Sequence, residues 1–255
     1  MPSFPSDKLP YLLLLFGRTG AFFLLSPLFA TRGIPFGLRL LLSLLFTLIL
    51  LPLFSKISFP PLEPSLIYLL VVKELIMGYL LGTLFAFMVE AALLAGSWFG
   101  VMAGFSATEL VDPTANARSP LFGTLFALLI VALILSLDLH HLFSYFLYDS
   151  FTFIPLGSEL TTNTPLLSLT ESASMVFSQA LRYLFIPLSL FAILLLFMTY
   201  LAKFHPQIPL FWLGFPLQIV VGIFSLTSLL LFMAPLAQKG FMEILKTAQK
   251  ILFPL

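Results

Sequence analysis

The sequence predicts an all-α membrane protein of about six long hydrophobic helical segments, and three observations lead there. Hydrophobic residues make up 60% of the chain and charged residues 9%, against about 45–50% and about 25% in soluble domains, so a water-soluble surface cannot be assembled from them. The apolar residues fall in runs close to or beyond the roughly 20 residues that a helix needs to cross a hydrocarbon core. Several such runs occur within 255 residues, which makes the protein polytopic, with a single integral membrane domain over residues 1–255.

The first run, Leu9 to Ala30, contains Arg18 and Pro27 and gives way to the turn-like Thr31-Arg32-Gly33-Ile34-Pro35. Arg18 inside the run, with no small-residue cleavage signal after it, argues against a removable signal peptide. The second, Leu38 to Phe54, is leucine-rich, and Pro60, Pro61 and Pro64 keep the connection after it from continuing as helix. The third, Leu66 to about Ala95, is long for one span and holds Lys73, Glu74 and Glu90, which predicts a helix only partly in contact with lipid. From Gly96 to Pro120 the pattern reads as a helix end running into a loop. The fourth run, Leu121 to Leu137, closes with Asp138, His140 and His141, and helix resumes towards Asp149. Residues 151–170 are rich in Ser, Thr and Pro, and Ser168-x-x-Glu171 matches a capping box for a helix continuing through Arg182 to Ala202, kinked at Pro187. The last run, Ile208 to Pro235, precedes a short amphipathic tail with Lys239, Lys246 and Lys250. With six spans, those lysines share a side with Lys8, Lys56 and Arg182, facing Arg32, Arg39, Arg118 and Lys203, a balance that leans towards cytoplasmic termini.

Composition excludes several functions. A net charge of +1 with scattered basic residues gives no nucleic-acid stripe, and the absence of cysteine removes disulfides, thiolate metal sites and a cysteine nucleophile. Neither a Gly-x-Ser-x-Gly elbow nor a phosphate-cradling Gly-x-x-x-x-Gly-Lys-Ser/Thr loop occurs. Asp138, His140 and His141 have no further ligand at a usual spacing and no His-Glu-x-x-His pattern; polar residues at the end of a membrane helix are more often meeting water. No catalytic residue, cofactor or metal site is therefore expected.

Two other sets of residues carry more weight. Gly78, Gly82 and Ala86, and then Ala92, Gly96, Gly100 and Gly104, recur every four residues, placing small residues along a helix face where another backbone can approach, in this chain or a neighbouring subunit. Arg18, Lys73, Glu74 and Glu90 lie within apolar runs, where an unpaired charge costs about 2.5–3.5 kcal/mol even on the lenient insertion scale, so each must be paired or face water. Arg18 with Glu74 is one possible couple, whereas Lys73 and Glu74, as sequence neighbours, point to different faces and should pair elsewhere. A proton or ion path is the less favoured reading of these charges.

Taken together, particular residues resemble the FliR/SctT family, the export-gate subunits of flagellar and injectisome type III secretion. They are Arg18 with Phe22-Phe23 and Pro27; Ile34-Pro35 with Arg39; Lys73-Glu74-Leu75-Ile76-x-Gly78-x-x-x-Gly82; Ala95-Gly96 through Gly104 to Val111-Asp112-Pro113 and Ser119-Pro120; His140; Asp149-Ser150-Phe151 with Ile154-Pro155-Leu156-Gly157; and Pro206-Gln207 with Gly214-Phe215-Pro216-Leu217 and Gly222. Their order and spacing cover nearly the whole chain, and the Val-Asp-Pro loop is closer to the flagellar branch. The family usually has Asn-Gly-His where this chain has Asp138-Leu139-His140, which counts against a special turn conformation there and against cation binding.

The resemblance implies a non-enzymatic subunit of an inner-membrane export gate at the flagellar basal body, its helices forming hairpins beside FliP-like and FliQ-like subunits, with FlhB-like and FlhA-like subunits nearby, around a path for unfolded export substrates. It implies a FliP-like part over about residues 1–150 and a FliQ-like hairpin over about 151–255. It also implies a pore plug after the third helix, comprising Gly104, Phe105, Leu110, Val111, Asp112 and Pro113. Gly104 allows an abrupt turn and Pro113 and Pro120 block helix continuation. A secondary transporter with a discontinuous helix is the alternative from another class; matching interruptions in two halves would mark it, and none is seen.

Overall fold

The computed structural model describes residues 9–26, 34–54, 67–105, 121–157, 164–204 and 210–252. Among them are seven helices and no strand: α1 (Leu9–Leu25), α2 (Phe36–Phe54), α3 (Ile67–Met102), α4 (Leu121–Ser136), α5 (Leu139–Phe153), α6 (Thr164–Phe204) and α7 (Leu210–Leu252). The protein is an all-α membrane protein. Three helices are long and apolar enough to span a bilayer, within Ile67–Met102, Ser174–Phe204 and Leu213–Thr247, and α4 with α5 makes a fourth if that bent pair is one span.

Several boundaries differ from the sequence expectation, for local reasons. Gly96 and Gly100 do not end α3, which continues to Met102, because glycine weakens a helix by only about 1 kcal/mol and packing overrides that. α6 starts at Thr164, ahead of Ser168, with Pro165 at its first turn, where a missing N–H costs nothing. The amphipathic tail is the last part of α7, which runs through Pro216 and Pro235 as a helix of 43 residues. At 1.5 Å per residue it is about 65 Å long, twice a hydrocarbon core, so much of it must lie outside the membrane or tilt strongly.

The chain divides into two compact units, each discontinuous in sequence. The first comprises Met1–Phe87, Leu135–Ala173 and Glu243–Leu255, the second Met88–Ile134 and Ser174–Met242. In the first unit α1 packs on α2, where the Thr19 and Thr47 hydroxyls share a hydrogen bond of 2.6 Å. Leu14, Leu15, Leu81, Leu84, Phe85 and Leu147 are almost fully buried there, and the Phe85 ring sits 4.4 Å from that of Phe143, 5.6 Å from Phe146 and 5.9 Å from Phe22. Rings from α1, α3 and α5 thus interlock. In the second unit Phe99 of α3 holds Phe122 and Phe126 of α4 at 5.1 and 5.6 Å and Phe191 of α6 at 6.3 Å. There α6 and α7 run antiparallel: Gln179 lies against Gly240, and Phe191 against Gly222.

Candidate functional site

The first unit is organised around a buried charge. Arg18 is fully buried on α1, and its Nε donates to Glu74 Oε2 on α3 at 2.6 Å. Its Nη1 donates to the Ser150 carbonyl at 2.8 Å, its Nη2 to the Ile154 carbonyl at 3.0 Å, and its guanidinium lies 4.4 Å from the centroid of the Phe151 ring. The planar fork of arginine, with five donors, can serve a carboxylate and two carbonyls together, which a lysine ammonium cannot do in the same geometry. Ser150 lies in the last turn of α5, where its carbonyl also accepts the Ile154 N–H at 3.1 Å and a cation is favoured by the helix dipole. One side chain therefore ties α1 to α3 and caps α5.

Glycines allow the approach that this bonding needs. A Cβ on Gly78 would overlap the Arg18 carbonyl oxygen and come within 2.9 Å of Ala21 Cβ, and one on Gly82 would lie 2.8 Å from Leu25 Cβ. In the second unit a Cβ on Gly96 would overlap the Phe122 carbonyl oxygen, while one on Gly100 would sit 3.4 Å from the Phe122 ring. Gly78, Gly82 and Gly96 line backbone-close helix contacts of the kind that hold helices together without a hydrophobic drive, whereas Gly100 faces only the Phe122 side chain.

Two residues past the end of α3 stands Gly104, where φ is 80°. The Gly104 N–H donates to the Val101 carbonyl at 3.1 Å and the Phe105 N–H to the Gly100 carbonyl at 3.0 Å. This pairing is a Schellman stop, which needs a left-handed residue and favours glycine. The Phe105 ring packs 4.9 Å from Phe122, so the turn is braced on α4. Next to it, an apolar cavity of about 740 Å³ is lined by residues including Met102, Phe191, Met198, Phe215 and Gln218.

Over residues 9–244 the sequence matches the family model described as bacterial export proteins, family 1. A Flagellar biosynthetic protein FliR of Bacillus subtilis (strain 168) is 31% identical over 230 residues, 86% of this chain and 86% of that protein. The FliR of Escherichia coli (strain K12) is 27% identical over 219 residues, 86% and 84% of the two chains, and that of Caulobacter vibrioides 26% over 214 residues, 82% and 84%. The chain belongs to the FliR family of bacterial export proteins. It is thus a family component of flagellar export, as the sequence resemblance implied.

Within this FliR-family chain, the residues singled out from sequence fall in three places. Arg18, Lys73 and Glu74 come together in the first unit, with Lys73 Nζ 4.0 Å from Glu74 Oε1. Glu74 takes its short contact from Arg18, as the expected couple, and its sequence neighbour Lys73 is the more distant cation. Glu90 is not a buried charge but exposed; 16 residues beyond Glu74 at 3.6 per turn puts it on nearly the opposite face of α3. Gly104 and Phe105 form the stop of α3, whereas Leu110, Val111, Asp112 and Pro113 lie outside the described residues. Sequence reasoning missed the Ser150 and Ile154 carbonyls and the Phe151 ring as Arg18 partners. A lone arginine in an apolar helix signals that acceptors exist, but nothing in the spacing says which.

One further expectation is corrected by the backbone. Replacement of the family's usual Asn-Gly did not abolish a special turn: Asp138 adopts φ 55° and ψ 20°, in the left-handed region, between α4 and α5. Asp tolerates that conformation better than most residues because its short polar side chain can bond locally.

Proposed function

We propose that this chain is a structural and gating subunit of the type III export channel in the bacterial inner membrane, part of the gate through which unfolded flagellar substrates leave the cytoplasm. FliR-family membership makes it a flagellar export-apparatus subunit, and its apolar helices make it a membrane protein. The gating role is carried by the Gly104 stop: α3 ends in a bonded turn braced by Phe105 on Phe122, so the segment after it starts from a fixed point. Leu110, Val111, Asp112 and Pro113 within that segment act as the plug.

The role is not enzymatic, because the buried ionic groups serve packing: Arg18 is held by Glu74, two carbonyls and a ring. FliP-like and FliQ-like subunits, with FlhB-like and FlhA-like subunits nearby, cover the apolar faces that α6 and α7 leave exposed. Residues 1 to about 150 supply the FliP-like part, and about 151–255, with the antiparallel α6 and α7, the FliQ-like hairpin. Deleting residues 106–117 is expected to raise ion leakage through the closed complex, and unchanged conductance overturns the plug. Mass measurement after mild-detergent purification should recover FliP-like and FliQ-like chains. A lone protein that moves a small solute overturns the subunit reading.

A further inference from the structure

We propose that Asp138, His140 and His141 form a binding site for a divalent transition-metal ion of the zinc class at the break before α5. One ligand atom from each of these three side chains falls within 4.8 Å of the others, and the two imidazole rings stand 4.2 Å apart with an interplanar angle of 34°. A tetrahedral ion with bonds of about 2.0–2.1 Å needs donors about 3.4 Å apart. Closing that difference calls for rotation of Asp138 and His141, both of which are exposed.

Three features of these residues bear on a ligand. Asp138 occupies the N-cap of α5 with left-handed backbone in place of the usual extended one, so its side chain makes no capping bond and the carboxylate is not engaged by the helix end. It also holds φ 55°, a conformation glycine or asparagine would adopt at lower cost. His140 Nδ1 is buried and lacks a hydrogen-bond partner, although a ring nitrogen out of water ordinarily has one. A carboxylate not used by the helix end, beside two close, tilted imidazoles and a buried ring nitrogen without a partner, offers what a shared cation would engage.

The donor set selects the ion. Two nitrogens and one oxygen suit zinc, nickel or copper, whereas magnesium and calcium prefer oxygen cages. Three donors leave one position for water or for a group from a neighbouring subunit, and the bound ion would hold the break before α5 in one geometry.

The test uses the full chain with its co-purifying subunits, carried on a histidine-free affinity tag, dialysed against zinc chloride and separately against cobalt chloride. About one ion per chain is expected, with the visible bands of tetrahedral cobalt. Asp138→Asn and His141→Ala should each weaken binding at least about tenfold, the scale seen when even a ligand's supporting contact is lost. Both change exposed side chains, so the metal-free melting temperature should stay near that of the parent. Asp138→Gly separates the ligand from the backbone: it relieves the positive φ and should raise the metal-free melting temperature while abolishing binding. Zinc content or cobalt bands unchanged in Asp138→Asn and His141→Ala overturn the site, as does a parent chain that binds no ion.

Discussion

Arg18 carries the largest single-residue prediction, since its removal takes the donor at 2.6 Å away from the fully buried Glu74 carboxyl. Breaking a buried pair from one side costs about 3–5 kcal/mol, whereas replacing both partners by apolar groups is often neutral. Arg18→Met should therefore lower the melting temperature in detergent sharply, and Arg18→Met with Glu74→Leu should recover part of the loss. The recovery is incomplete, because the Ser150 and Ile154 carbonyls stay without the Arg18 donors. A double variant no more stable than the single one would mean that the ion pair is not what the arginine satisfies. Gly78→Ala is expected to be damaging on a different ground, because its Cβ meets the α1 backbone and not a movable side chain; overpacking of this kind costs about 1–3 kcal/mol. Gly37→Ala is the matched control, as nothing lies within 4 Å of its Cβ, and it should leave stability unchanged or slightly raised. Of this residue-scale detail, the small-residue spacing and the Arg18–Glu74 couple were legible in sequence. The acceptors 132 and 136 residues away were not, since no periodicity links α1 to the end of α5.

Helix termini are the elements on which function turns. Gly104→Ala places a Cβ on a residue with φ 80° and 3.2 Å from Gln218 Oε1, so it should cost about 1–2 kcal/mol locally, the steric penalty of left-handed backbone. Faster hydrogen exchange at the Gly104 and Phe105 amides, with the amides of α1 and α2 unchanged, is the expected signature. Equal protection would show that the stop does not depend on glycine. Sequence reading placed this turn because Gly104 precedes a proline-bearing polar stretch, yet it ended the third helix early. A glycine's intrinsic cost is legible in a sequence, but the packing of Gly96 and Gly100 on Phe122 that offsets it is not. The Asp138 turn shows the converse, as the missing Asn-Gly removed the usual signature while tertiary context kept the left-handed backbone.

For the molecule as a whole, the informative quantity is how little of α6 and α7 the chain covers by itself. In their most apolar windows only 17% and 22% of residues are buried, against 56% for α3, and Phe185, Ile193, Leu196, Val220, Phe224 and Leu231 are exposed. Patches of that extent mark lipid or partner contact. Ile193→Arg should add about 2.5–3.5 kcal/mol to membrane insertion and reduce both the membrane fraction and any co-purifying subunits. A variant that inserts and assembles like the parent would place that position in water.

Run length and composition by themselves determined that this chain is helical and membrane-embedded, because lipid admits only helices and closed barrels, and unbroken apolar runs of about 20 residues suit helices where barrel strands are shorter and alternate. Ordered motifs added the export family. Only the tertiary structure decided which charges are buried, which glycines touch which backbone, and that an aspartate stands uncapped beside two histidines. These depend on contacts between residues far apart in the chain, and an all-apolar helix carries no polar face from which its neighbours could be read.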